Sequence, residues 1–230
     1  MQPNLCTTIQ LLIAGTLLSA PMIAGAADRF QGPYVGAYLG YVDGQDDGKE
    51  YSSGTPNGWT QETTPKGAVY GLLGGYHTRV GGNLVLGMEA DFEGRSADDK
   101  SPQKDEGVPD PDYPVKTELK EAGSIRAKLG YVLNAGQTLA YATAGYAAAN
   151  IKRTYYSLPD SASDTSWQHG WTVGAGVEHF VGKQLSMRAE YRYADYGKED
   201  VTAVRALWAG YKERQEYDEH TLRVGVMYHF

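Results

Sequence analysis

His220-Thr221-Leu222-Arg223-Val224-Gly225-Val226-Met227-Tyr228-His229-Phe230 closes the chain and decides how the rest is read. In an extended strand successive side chains point to opposite faces. Leu222, Val224, Val226, Tyr228 and Phe230 then share one face, while Arg223, Gly225, Met227 and His229 share the other. A soluble domain covers such an apolar face with a second layer. A barrel in lipid needs no cover, because hydrocarbon solvates that face and the closed ring satisfies the backbone.

The same period recurs upstream. Residues 34–41 set Val35, Ala37, Leu39 and Tyr41 on one side. Leu84, Leu86, Met88, Ala90 and Phe92 alternate with Val85, Gly87, Glu89, Asp91 and Glu93. Ile125, Ala127, Leu129, Tyr131 and Leu133 oppose Ser124, Arg126, Lys128 and Gly130. Trp171, Val173, Ala175 and Val177 oppose Thr172, Gly174, Gly176 and Glu178. Leu185, Met187, Ala189, Tyr191 and Tyr193 oppose Ser186, Arg188, Glu190 and Arg192. Two further strands, near 68–78 and 138–149, are apolar on both sides and leave their facing open.

These stretches make eight strands of roughly 9–11 residues, the length of a tilted bilayer crossing. Short turns at 79–83, 134–137 and 182–184 alternate with long polar connections at 42–67, 94–121, 150–168 and 195–219. The long connections lack periodicity and read as mobile loops. In an even-stranded meander both termini lie on the side of the short turns, as in barrels with short periplasmic turns and long outer loops. The expected fold is therefore all-β: an eight-stranded antiparallel up-and-down transmembrane barrel.

Composition agrees with that reading. Glycine is abundant at 29 residues, and tyrosine (18) far outnumbers tryptophan (4) and phenylalanine (4). The net charge of −7 disfavours a nucleic-acid partner, which requires a basic face. The first 26 residues read as a cleaved export signal: an apolar core from Leu11 to Leu18 precedes the small residues Ala24-Gly25-Ala26. One feature departs from that pattern, since the first ten residues contain no Lys or Arg. The barrel domain is then 27–230. Cys6, the single cysteine, lies in the removed segment, so thiol chemistry is excluded from the mature chain.

Charge decides which face is inside. The polar strand faces carry Glu89, Asp91, Glu93, Glu178 and Glu190 against Arg126, Lys128, Arg188, Arg192 and Arg223, an even balance. On a lipid face a mid-bilayer Arg or Lys costs roughly 2–4 kcal/mol. Turned inward these residues pair across strands, with Glu178 set opposite Arg188. An eight-stranded barrel is just filled by its side chains. The expectation is a lumen ion-pair network that works as a packed plug; the alternative is a narrow porin-like channel for ions or small solutes. Tyr41, Tyr131, Tyr191 and Tyr193 are expected in the interfacial aromatic girdles.

Three stretches carry a family resemblance: G-P-Y-V-G-A-Y-L-G-Y (32–41), R-A-E-Y-R-Y-A-D-Y-G (188–197) and the closing strand. The whole mature chain resembles a small OmpA-like, opacity-type outer-membrane barrel of the porin-like kind common in alphaproteobacteria. Arg223, Gly225, Tyr228 and Phe230 stand where such barrels carry their C-terminal assembly signal. The resemblance implies location in the bacterial outer membrane, insertion by the barrel-assembly machinery, contact with outer-membrane lipid and lipopolysaccharide, and roles in envelope stability, surface contact or limited diffusion. Unlike OmpA, this sequence shows no peptidoglycan-binding domain after the barrel. Some relatives are instead attached to peptidoglycan through a mature N-terminus, and Ala27-Asp28 is similar to such termini. The loops would present the surface to host or other ligands.

No catalytic constellation, zinc-type ligand set or phosphate-binding glycine loop is found, so neither enzyme chemistry nor a cofactor or metal is expected. His77, His169, His179, His220 and His229 have no nearby serine arranged as nucleophile and base, although a triad can assemble from distant residues. Asp43-Gly44-Gln45-Asp46-Asp47-Gly48 faintly resembles a calcium loop, but its twelfth position is Gly54, and it reads as a solvated acidic loop.

Overall fold

The structure, a computed structural model, describes residues 29–157, 159–201 and 210–230. The expected signal segment and Ala27 lie outside the described residues. Nine strands follow in order: β1 Gly32–Ser52, β2 Thr55–Thr63, β3 Lys66–Gly81, β4 Leu84–Asp105, β5 Val108–Leu133, β6 Thr138–Ser157, β7 Asp160–Phe180, β8 Leu185–Val201 and β9 Tyr211–His229. From β3 onward each strand pairs antiparallel with the next, and β1 pairs with β9 from Tyr34↔His229 to Ser52↔Tyr211, which closes the barrel.

The ring is nevertheless eight strands round at every level. β3 covers the lower part of β1, from Gly32↔His77 to Asp43↔Lys66, and β2 covers the upper part, from Asp46↔Thr63 to Ser52↔Thr55. β2 also reaches β4 at Trp59↔Asp105. β2 and β3 are thus one strand broken at Thr64-Pro65. Proline has no amide hydrogen to donate to the ladder. Its carbonyl instead accepts the Gly44 amide at 3.0 Å.

The long connections correct the expectation of mobile loops. Residues 42–52, 55–63, 94–105, 108–121, 150–157, 160–168, 195–201 and 211–219 are β-strand, with bulges, that carries the barrel beyond the membrane. The turn from β4 to β5 is tight: Glu106 and Gly107, at φ 47° and 87°, join the two strands. Hydropathy periodicity could not show this because the barrel inverts its polarity. In the membrane the outside is apolar and the lumen charged. Above it the outside is polar, and Val42, Val69, Leu119, Ala149, Ile151, Tyr196 and Tyr217 form an apolar collar within.

The lipid-facing band is unambiguous. Leu72 and Met88 are 70% and 65% exposed, beside Leu39, Ile125, Leu129, Val177, Met187, Leu222 and Val224. The two undecided strands take a definite facing. In β3, Val69, Leu73 and His77 point inward and Tyr70, Leu72 and Tyr76 outward; in β6, Leu139, Tyr141, Thr143 and Ala147 point inward. Inward glycines make room for inward tyrosines. A Cβ on Gly71 would stand 2.6 Å from the Tyr38 hydroxyl, and one on Gly75 would stand 2.5 Å from that of Tyr34.

Candidate functional site

Strand alternation sends Glu89, Asp91 and Glu93 of β4, Arg126 and Lys128 of β5, Glu178 of β7, Arg188, Glu190 and Arg192 of β8 and Arg223 of β9 into the lumen, all buried. Arg126 bonds Glu89 (2.5 Å) and Asp91 (3.0 Å) on one side and Glu190 (2.7 Å) on the other. Arg188 bonds Glu178 at 2.9 Å, its opposed partner in the register, and crosses to Glu89 at 2.6 Å. β4 and β8 face each other across the ring. Lys128 joins Glu89 at 2.9 Å, Arg192 joins Glu93 at 2.9 Å, and Arg223 bonds Glu190.

Two members were not found in the sequence. Arg95 bonds Glu93 and Glu219, each at 2.6 Å. Both Arg95 and Glu219 lie in stretches that read as connections by hydropathy, although each continues the odd-numbered inward parity of its strand. With them the layer holds six acids and six bases, balanced in place. Tyrosine hydroxyls satisfy further carboxylate lone pairs: Tyr34 donates to Glu89 (2.7 Å), Tyr38 to Glu93 (2.8 Å) and Tyr141 to Glu190 (2.9 Å). Hydrogen bonds to the remaining lone pairs are what a buried ion pair needs to offset desolvation. Between Tyr38, Leu73, Arg188, Glu190, Arg223 and Met227 the free space is about 10 Å³. That is about the room one water molecule needs.

The periplasmic end is closed by rings. Phe30 packs edge-on to Phe180 at 4.9 Å, and His77 stacks on Tyr34 at 4.3 Å. His229 Nε2 lies 2.8 Å from Glu178 and 3.0 Å from Ser186. The chain therefore does bring a serine to a histidine, which spacing along the sequence did not reveal. Serine and carboxylate meet the same ring nitrogen, however, and Ser186 is fully buried. A nucleophile–base–orienter relay uses both nitrogens of the imidazole.

Above the collar lies a second, smaller polar layer. Arg153 grips Asp46 through two bonds of 2.7 and 2.8 Å. Asp46 is thus buried in β1, which corrects its assignment to a solvated loop. Glu50 of β1 and Glu213 of β9 are directly opposed and both buried. Neither has a basic partner among the described residues. Burial, reinforced by the neighbouring charges of Asp46 and Glu50, pushes the Glu213 carboxyl up to about 8.

Outside, Tyr41, Tyr191 and Tyr193 stand at the outer edge of the lipid band with Tyr70, Tyr146 and Trp171, and Tyr131 stands at the periplasmic edge with Tyr228 and Phe230. His169 and His220 belong to the outer edge, where they accompany Tyr146 and Tyr191. In the closing strand Arg223 enters the ion network, Gly225 lies against β1, where a Cβ would stand 2.7 Å from the Ala37 carbonyl, and Tyr228 and Phe230 pack edge to face at 5.2 Å.

A closed antiparallel ring with an apolar belt, aromatic edges and a charged, filled interior defines an integral barrel of the bacterial outer membrane. The chain belongs to the family of the outer membrane protein beta-barrel domain, whose sequence profile matches residues 11–230. It is similar to a 31 kDa outer-membrane immunogenic protein of Brucella melitensis, 28% identical over 95% of this chain and 93% of the relative. A 25 kDa outer-membrane immunogenic protein of Brucella abortus is 32% identical over 92% of this chain and 84% of its own length. Among solved structures, the outer membrane protein OprG from Pseudomonas aeruginosa shares the fold, with a TM-score of 0.54 at 12% identity over 88% of this chain and 98% of OprG. The protein resides in the outer membrane.

Proposed function

We propose that the protein is a sealed, envelope-stabilising barrel whose tall outer rim makes surface contacts, and that its lumen is a plug rather than a channel. The observation that carries this reading is the Arg126 and Arg188 crossing: two guanidinium groups tie β4 and β5 to β8 through the middle of the barrel. An ion passing this layer would have to break several charge-assisted bonds at once. The test is conductance of the refolded mature chain in a planar bilayer beside Arg188→Ala. A silent wild type with a leaky variant is the expected result. Reproducible unitary steps from the wild type would put the narrow channel first.

The same reading covers partners and chemistry. The aromatic edges suit outer-membrane lipid and lipopolysaccharide, the exposed outer strands suit surface ligands, and the closing strand suits the barrel-assembly machinery. Peptidoglycan attachment through Ala27 rests on similarity of termini; a muropeptide digest lacking any Ala27-linked fragment would sink it. No enzymatic role is assigned, because the one serine–histidine contact described is buried and shares a single ring nitrogen with Glu178.

A further inference from the structure

The outer mouth of the barrel holds a cavity of about 180 Å³ lined by Glu50, Asn57, Trp59, Gln103, Tyr113 and Tyr211. These residues share the inward parity of their strands and sit well above the lipid band, on the water side. Trp59 and Tyr113 stand nearly perpendicular, 78° apart with centroids at 5.4 Å, which makes two walls of a corner. Tyr211 packs beside the buried cluster of Val115, Tyr155 and Val201. Asn57 donates to Glu50 at 2.5 Å and fixes that carboxylate at the cavity wall.

The charge of this layer is the second observation. The buried charges in the membrane cancel, but above the collar the acids Asp46, Glu50 and Glu213 face Arg153 as the one buried base among the described residues. Arg153 is already committed to Asp46 through both bonds. Glu50 and Glu213 are left opposed to each other, and Glu213 Oε2 is buried without a hydrogen bond among the described residues. Among the described residues the Glu50 carboxylate is met by the neutral Asn57 amide and by no base, so a bound cation would supply its counter-charge.

We propose that this mouth is a binding site for a small organic ammonium ion, held against the faces of Trp59, Tyr113 and Tyr211 and neutralised by Glu50. Aromatic faces attract a cation through their quadrupole, and desolvated sites do so more strongly. The Glu50 carboxylate at the wall adds a direct charge partner. The cavity lies among the outer ends of the strands, above the lipid band, so the ion arrives as a free solute rather than as a bilayer headgroup. The site stands above the ionic plug and is independent of whether the lumen conducts.

Choline is the probe, titrated calorimetrically into the refolded mature chain in micelles. Its neutral isostere 3,3-dimethylbutanol and methyl glucoside run beside it. Saturable choline binding is expected, with the isostere and the sugar weaker by about tenfold or more, a difference of about 1.4 kcal/mol. Trp59→Leu and the isosteric Glu50→Gln should each weaken choline by about tenfold, within the range of one desolvated cation–aromatic or charge contact. Glu62→Gln, facing outward on the strand that carries Trp59, should leave it unchanged. Far-UV circular dichroism and the heat-dependent gel shift verify that each variant is a folded barrel. The proposal is overturned if choline shows no saturable binding, if the isostere or the sugar binds as well, or if Glu50→Gln behaves like Glu62→Gln.

Discussion

Arg126 contacts three carboxylates, so its loss would strand more buried charge than that of a single pair. Removing one partner of a buried pair costs about 3–5 kcal/mol, mostly from the charge left behind. Arg126→Met is expected to lower barrel stability by about that amount, read as the urea midpoint in micelles. A glycine gives an independent check at the same scale. Gly71→Ala drives a methyl into the Tyr38 ring and the Phe92 carbonyl, so Tyr38 must leave its bond to Glu93. Overpacking of this kind costs about 1–3 kcal/mol. Gly74→Ala, where the nearest atom is 3.8 Å away, should be close to neutral.

Within the strands, the outer extensions are where folded structure and solvent charge meet. The Glu213 carboxyl titrates near 8 in the folded barrel, against roughly 4.3 in an unfolded chain. The folded state therefore holds an extra proton between those values, so stability is greatest at the acid end and declines as pH rises towards 8. The wild-type urea midpoint should fall from roughly pH 5 to pH 8 relative to Glu213→Gln, which removes that slope. Hydrogen exchange should find the β4–β5 amides between Ala97 and Leu119 protected, as their pairing requires. Rapid exchange there would restore the mobile-loop expectation. The membrane strands were legible because lipid forces a strict apolar face, from Leu84 to Phe92 as from Leu222 to Phe230. Their extensions were not. Once Thr117, Leu119 and Val115 turn inward together, neither face is consistently apolar. Arg95 and Glu219 were lost for the same reason: they continue a strand past the point where its apolar partners stop. β3 and β6 were ambiguous because Val69, Leu73, Leu139 and Ala147 put apolar groups inside the lumen.

For the molecule as a whole, closure depends on β1 meeting β9 along nineteen residue pairs, from Tyr34↔His229 to Ser52↔Tyr211. Deleting Phe230 removes an exposed aromatic from the periplasmic belt and its contact with Tyr228. Insertion into vesicles, followed by the heat-dependent gel shift, should slow several-fold, while the folded fraction at long times stays near that of the full chain. The polarity inversion bears on the same closure. Facing alone cannot tell a correct alignment from one displaced by two residues, since both keep every side chain on its own side. The stacked layers can. A two-residue slide of β4 would lift Arg95 to the level of Ala97 among the greasy rings and aliphatics, or sink Ala97 among the guanidinium groups. The alternation of neighbours thus writes the first digit of an address, and the height at which charge gives way to hydrocarbon writes the second.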